Sequence, residues 1–250
     1  MIKIEKDFKE IPASLKSQTT TNHRNTIIQN SAYIYEAKYD SRYKHKDIKD
    51  ALKKIYHRKC AFCEQRIEQF DVEHFRPKSI YYWLAFSWDN LLFACSTCNT
   101  HKLNHFETLQ NKATYQTQDL DNIHELAEKY NTQENCQFIH PELEDAEPYL
   151  IFEKNGKISS NHRKVKYTLT TCKLDRRELN DERKRIWDDL VKKVNDRLLK
   201  RDFEKDEEKK KEILIAIRTL LENFKEDAQN PDNEFLAFRR FCVKNFLKYP

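Results

Sequence analysis

Glycine is nearly missing from this chain: it has one in 250 residues, where ordinary usage near 7% gives about 17. That deficit excludes the chemistries built on glycine's backbone freedom. There is no room for a G-x-G-x-x-G dinucleotide loop, a G-x-x-x-x-G-K-[ST] phosphate loop or a G-x-S-x-G nucleophile elbow. Long apolar runs are scarce as well. The longest, Ile80 to Phe86, is seven residues, and Ile213 to Ile217 is five, against the ~18 that a bilayer span needs. The first eleven residues, MIKIEKDFKEI, carry charge throughout and offer no apolar signal segment. These absences predict a soluble, cytoplasmic protein with no membrane partner and no nucleotide-binding loop of its own.

What is abundant is charge, at 35% of residues against about 25% in an average protein. Fifteen Phe, twelve Tyr and three Trp supply bulk for a core. Residues 1–110 hold 18 Lys and Arg against 13 Asp and Glu, and residues 111–250 hold 28 against 28. The net charge of +5 therefore lies wholly in the first 110 residues, a mild pointer to a polyanionic partner there.

Organisation follows from periodicity and punctuation. Residues 1–59 read as an irregular polar arm (1–30) followed by a helix from about Asp47 to Arg58, where Ile48, Leu52 and Ile55 have helical spacing. Residues 60–110 alternate short apolar runs with turns. Residues 111–250 begin with a short helix from Asp121 to Tyr130, capped by Asp121 or Asn122. Strand-like pieces follow at Phe138-Ile139, Tyr149 to Phe152 and Val165 to Leu169. Asn155-Gly156 between Phe152 and Ile158 is a hairpin signal. The last third reads as helices, with Asp175 and Glu178 as a capping pair ahead of Leu179, Trp187, Leu190 and Val194. The predicted class is α+β, a small strand–strand–helix core within a mostly helical protein.

Four of the seven cysteines form two pairs, Cys60-x-x-Cys63 and Cys95-x-x-Cys98. In a cytosolic chain such pairs indicate metal before disulfide. Two knuckles complete a tetrahedral S4 shell suited to Zn²⁺ in a structural role, since the shell leaves no open position. Between and beside them lie Glu73-His74, Arg76-Pro77-Lys78, Trp88-Asp89-Asn90-Leu91, Asn99 and Lys102. Phosphodiester hydrolysis suits this set. His74 offers a general base near neutral pH, and Glu73 and Asn99 offer hard oxygen ligands for Mg²⁺ or Mn²⁺. Arg76, Lys78 and Lys102 are candidate contacts to a nucleic-acid backbone. Glu73 and His74 can share one site only where the strand ends or bends, because neighbouring strand residues face opposite ways. His101 and His105 lie off the catalytic face of the helix that holds Asn99 and Lys102. Trp83, Tyr81 and Tyr82 are candidates either for base stacking or for core.

Cys60-x-x-Cys63, Glu73-His74-Phe75-Arg76-Pro77-Lys78, Trp88-x-Asn90-Leu91 and Cys95-x-x-Cys98-Asn99-x-x-Lys102 together resemble the zinc-clipped HNH, or ββα-metal, endonucleases. The resemblance implies His74 as general base, Glu73 and Asn99 as ligands of the catalytic metal, and Asn90 as the residue that orients the hairpin and the base. Glu73 stands where Asp or His is more usual. Segments outside the core, among them "CAFCEQRI", "FIHPELEDAEPYLIF" and "LDRRELNDERKRIW", resemble the HNH subunits of Septu anti-phage systems and of retron–Septu hybrids. That implies an ATPase partner subunit, PtuA, a nucleic-acid substrate and, in the hybrids, a retron reverse transcriptase with its DNA–RNA hybrid. Two other readings stand beside the DNA endonuclease: a zinc-stabilised binding or assembly subunit without catalysis, and an RNA-cleaving toxin that acts on tRNA.

Overall fold

The computed structural model describes residues 1–246. The chain folds into two compact units, residues 1–149 with 160–173, and residues 150–159 with 174 onward. The structure thus divides the chain differently from the expected 1–59, 60–110 and 111–250 segments. The N-terminal arm, the cysteine-rich core and the stretch that follows it share one unit.

The first unit opens without regular structure and then forms α1 (Ala13–Lys16), α2 (Gln18–Gln29), α3 (Ala37–Tyr43) and α4 (Lys46–Ile55). The irregular arm expected over residues 1–30 is corrected here. Ser17 caps α2 by accepting the Thr20 N–H, and Thr20, Arg24 and Ile27 are buried on one face. Two of those three buried residues are polar, which hides the helical period from a hydrophobicity reading. Arg24 is satisfied by donating to the Phe86 carbonyl at 2.9 Å. Ahead of α1, Lys6 passes into the interior and donates to the carbonyls of Trp88 at 2.7 Å and Leu91 at 2.8 Å. The expected helix at Asp47–Arg58 is α4.

A small antiparallel sheet follows. β1 (Asp71–His74) pairs with β2 (Leu91–Ala94), with Asp71 opposite Ala94 and His74 opposite Leu91. Next comes α5 (Ser96–Lys102), which completes the expected strand–strand–helix core. The short helix expected at 121–130 divides into a 3-10 turn at Thr117–Asn122 and α6 (Ala127–Glu134). Phe138-Ile139 is not a strand, and Val165–Leu169 lies in α7 (Arg163–Thr171). In that stretch Val165, Thr168 and Leu169 are buried at i, i+3 and i+4. Its apolar residues satisfy both period two and period 3.6, and packing selects the helix.

In the second unit β3 (Ile151–Phe152) and β4 (Ile158–Ser159) form the expected hairpin. The one glycine is required there twice over. Gly156 has φ +85, and a Cβ on it would lie 2.0 Å from the Asn180 carbonyl oxygen. That oxygen belongs to α8 (Arg177–Phe203), which is followed by α9 (Glu207–Asp227) and α10 (Leu236–Phe246). Leu179, Arg183, Trp187, Leu190 and Val194 form the buried stripe of α8. The expected Asp175–Glu178 cap is corrected: Arg176 is the N-cap residue, and Asp175 instead accepts the Ile158 N–H at 2.9 Å. Elsewhere the glycine deficit leaves L-residues in left-handed turns. Among the described residues eight non-glycine positions have positive φ, Arg58, Glu64 and Leu103 among them. No helix among the described residues is long and apolar enough to cross a membrane.

Candidate active site

The two cysteine pairs meet. Cys60, Cys63, Cys95 and Cys98 are buried, with their sulfurs all within 4.8 Å of one another. Each pair sits on a tight turn. Cys60 donates its N–H to the Gln65 carbonyl at 2.9 Å, and Cys95, the N-cap of α5, accepts the Cys98 N–H on its sulfur. Ala61 donates to the Phe93 carbonyl at 2.8 Å, which ties the first knuckle to β2. Hydrogen bonds from Cys60, Cys63 and Cys98 favour the Cys95 thiolate, whereas contacts with Cys60 and Cys95 push both Cys63 and Cys98 upward. Four thiolates at this spacing repel one another, and a dication supplies the missing counter-charge. The donor set therefore fits zinc. It is the only cluster of three or more His, Cys, Asp or Glu ligands among the described residues.

Strand alternation puts Asp71 and Glu73 on one face of β1, which ends at His74. Asp71 and Glu73 face α5. Asn99 donates its amide N–H to Asp71 at 2.9 Å, and Lys102 donates to Glu73 at 2.6 Å and to the His74 carbonyl at 2.7 Å. A carboxylate only accepts, so Asp71 fixes the Asn99 amide nitrogen toward itself and leaves Oδ1 to accept. Cys95 rather than Asn99 caps the helix.

His74 ends the strand, its ring edge-on to the Tyr43 ring at 4.5 Å between centroids, and the Glu73 carboxylate acts electrostatically on Tyr43 and on Lys78 beside it. Its Nε2 lies 2.9 Å from the Ala85 carbonyl oxygen. A carbonyl only accepts, so Nε2 carries the proton and Nδ1 is the ring's acceptor. Burial, followed by the charge of Lys78, pushes the imidazole down to about 3. His74 is therefore neutral at physiological pH, the form that accepts a proton. The residue retains 6% of its surface.

Asn90 holds the loop between the strands. Its Oδ1 accepts the Arg76 N–H at 2.7 Å, and its Nδ2 donates to the carbonyls of Arg76 at 3.1 Å and Leu84 at 3.2 Å. Leu84 precedes Ala85, whose carbonyl fixes His74. The flanking residues are also spent on structure. His124 Nδ1 accepts the Trp88 N–H at 3.0 Å, and Asp89 accepts the Ala127 N–H at 2.6 Å.

Two of the expected backbone contacts are buried and paired within the protein. Arg76 is buried and donates through Nε at 3.0 Å and Nη2 at 2.8 Å to Glu134, with a further bond to Asn131. Rings of Phe75, Tyr81, Phe106 and Tyr130 lie within 5.8 Å of its guanidinium. It cannot leave this cage to meet a phosphate without uncovering Glu134. Lys102 is equally buried, spent on Glu73 and the His74 carbonyl. Lys78 alone of the three is partly exposed, with its ammonium 3.1 Å from the Tyr43 hydroxyl. Tyr81 and Trp83 are core, and Trp83 donates to the Tyr130 hydroxyl.

Asp71, Tyr43, Glu134 and the Ala85 carbonyl escape a reading of the sequence alone. Asp71 has a signal, since it lies two residues before Glu73 and so on the same strand face. The other three act across 11 to 58 residues of chain, and no local pattern records such contacts.

Residues 60–105 match the HNH endonuclease family model, so the zinc clip and the β1–β2–α5 hairpin carry an HNH domain. The chain is 31% identical over 209 residues to the Septu protein PtuB of Bacillus mycoides (strain KBAB4), an alignment covering 75% of this chain and 62% of that protein's length. It is 42% identical over 62 residues to the Septu protein PtuB of Bacillus thuringiensis, covering 23% of this chain and 24% of that protein.

Proposed function

We propose, from the HNH domain at residues 60–105 and the similarity to PtuB, that this chain is a metal-dependent endonuclease of a Septu-type anti-phage system, working with an ATPase partner of the PtuA kind. The observation that carries the catalytic part is the His74 ring, held by Ala85 so that Nδ1 is the unprotonated nitrogen at the end of β1. In this reading Nδ1 takes a proton from water, the hydroxide adds to phosphorus, and the P–O bond to the leaving sugar oxygen breaks. A divalent cation such as Mg²⁺ or Mn²⁺ would neutralise the charge developing on the phosphoryl and leaving oxygens. Glu73 and Asn99 are the residues to hold it. Each has an oxygen left over, because Lys102 occupies Glu73 Oε1 and the Asn99 nitrogen is committed to Asp71. Asn90 acts on this site as a positioning residue, through the loop that carries Ala85. Lys102 positions too, joining Glu73 to the backbone of His74.

The α8–α9 hairpin supports a docking role for the second unit. Phe203 is 84% exposed, Leu199, Leu214 and Ile215 lie open beside it, and α9 buries none of its residues. Replacing Phe203 and Ile215 by Glu is expected to abolish co-purification with the ATPase while nuclease domain and zinc content persist.

The decisive experiment is His74→Ala in the full chain co-expressed with an ATPase of the PtuA kind. Expected is loss of divalent-dependent cleavage of phage DNA, plasmid or tRNA with zinc content and melting temperature retained. Undiminished cleavage refutes the base assignment. Cys95→Ala is expected to yield zinc-free, poorly folded protein, and a well-folded zinc-loaded variant contradicts the clip.

A further inference from the structure

The connection between α2 and α3 carries two tyrosines, Tyr33 and Tyr35, with opposite fates. Tyr33 is buried and donates its hydroxyl to Asp40 at 2.7 Å. Tyr35 is 68% exposed, its ring meeting Tyr33 edge-on at 5.0 Å between centroids. A single exposed aromatic is unremarkable by itself. This one is not alone. The Lys78 ammonium lies 5.6 Å from the Tyr35 ring and 5.0 Å from each of the Tyr33 and Tyr43 rings. Lys78 also donates to the Tyr43 hydroxyl, and Tyr43 contacts the His74 ring. An unbroken series of contacts therefore runs from an open aromatic face, past a cation with N–H donors to spare, to the base.

Resting on the nuclease reading above, we propose that Tyr35 is a stacking platform for an unpaired nucleobase one nucleotide removed from the scissile phosphate, with Lys78 holding the intervening phosphate. An aromatic face takes a base only when that base has left its own stack, and a paired base inside a duplex presents no free face. The order aromatic, cation, imidazole matches the order base, phosphate, scissile phosphate along one strand. The preferred substrate class is therefore single-stranded or locally unpaired nucleic acid: a flap, a bubble or a loop. Tyr35 supplies sequence-tolerant affinity, since every base has a π-face, and Lys78 supplies a salt-dependent contact.

The test is binding by the full-length zinc-loaded chain without magnesium, read by anisotropy of a labelled single strand of about 20 nucleotides, a length that exceeds one binding site, and of its blunt duplex. A single strand containing 2-aminopurine reports stacking through quenching. Expected is tighter binding of the single strand, and loss of about 5- to 150-fold in Tyr35→Ala, the size of one base–aromatic stack. Tyr35→Trp should restore both affinity and quenching, and Tyr35→Leu neither. Melting temperature should stay unchanged in all three, because the ring is open to solvent. Lys78→Ala should lower the slope of log affinity against log salt by about one phosphate contact. Binding unchanged by Tyr35→Ala, equal affinity for the duplex, or no binding of either strand overturns the proposal. So does affinity loss confined to a protein partner. Cleavage by the unmodified chain co-expressed with the ATPase, assayed separately with magnesium, keeps the two readings distinct. Cleavage with unaffected Tyr35→Ala binding defeats the stacking proposal alone, whereas intact Tyr35-dependent binding without cleavage defeats the nuclease reading alone.

Discussion

Replacing Asn90 by alanine removes one side chain and strands two backbone groups. The Arg76 N–H and the Arg76 carbonyl both lose Asn90 as partner, whereas the Leu84 carbonyl keeps the Ser87 N–H at 3.1 Å. Arg76, Leu84 and Asn90 are all buried, so water does not replace the lost bonds. An unsatisfied buried backbone group costs about 1–3 kcal/mol, which sets the loss near 4 kcal/mol for two groups and a small void. In a protein of this size that lowers the melting temperature by about 8–16 °C. Chemical denaturation of zinc-saturated protein measures the free energy. Asn90→Asp separates the donor role from the acceptor role. It retains an acceptor for the Arg76 N–H but turns a carboxylate oxygen toward two carbonyls. Burial raises the carboxyl of that variant above its unfolded value, so its deficit is largest at neutral pH and shrinks on acidification as a proton restores a donor. Because Leu84 adjoins Ala85, turnover in Asn90→Ala should fall through kcat rather than KM, even well below the melting transition. A loss under about 1 kcal/mol, or full activity, refutes the account of Asn90 as the strut beneath His74.

Arg76→Met should cost about 3–5 kcal/mol, the usual consequence of leaving one member of a buried ion pair unpaired, since Glu134 then keeps only Tyr81 and the Ala113 N–H. Stability that shows the same sensitivity to salt as a surface pair would contradict the buried cage. Acid should destabilise the protein. Burial holds His74 and His124 at about 3 and His140 well below its ordinary value, so their stabilisation, complete above pH ~6.5, drains as pH falls. Burial also raises Asp89 to about 6 and Glu142 to about 7, and these oppose the loss. With His23 lowered as well, the imidazoles outnumber the two carboxyls, so the unfolded chain binds more protons and stability falls as pH drops between roughly pH 6 and 4.5. A flat or rising stability over that window in denaturant titrations negates it. Leu103, at φ 44 and ψ −127 with 61% of its surface exposed, pays for a conformation that suits glycine. Leu103→Gly should stabilise by about 1 kcal/mol, and a destabilised variant would show that this strain is absent.

The cysteine spacing is a complete statement of the zinc clip, because two knuckles with two thiolates each leave few arrangements open. The β1–β2–α5 core is legible for a related reason: short apolar strands, a turn region and a cysteine cap leave local marks. The Asn155-Gly156 hairpin is equally plain. The N-terminal helices are not, because Thr20 and Arg24 stand where a hydrophobicity pattern expects apolar groups. α7 reads as a strand in sequence because its β-branched residues suit either period.

Composition and motif spacing determined, without coordinates, that phosphate loops of glycine are absent, that four thiols gather, and that His74, Glu73, Asn90 and Asn99 belong to one small core. Only the tertiary structure decided what each polar side chain does there. It buried Arg76 and Lys102 in ion pairs, left Lys78 beside an open tyrosine, and set Ala85 against Nε2 of His74. The division has a physical cause. Covalent spacing fixes which residues a tight turn brings together, whereas burial, and with it the choice between phosphate contact and internal strut, depends on chain segments tens of residues away.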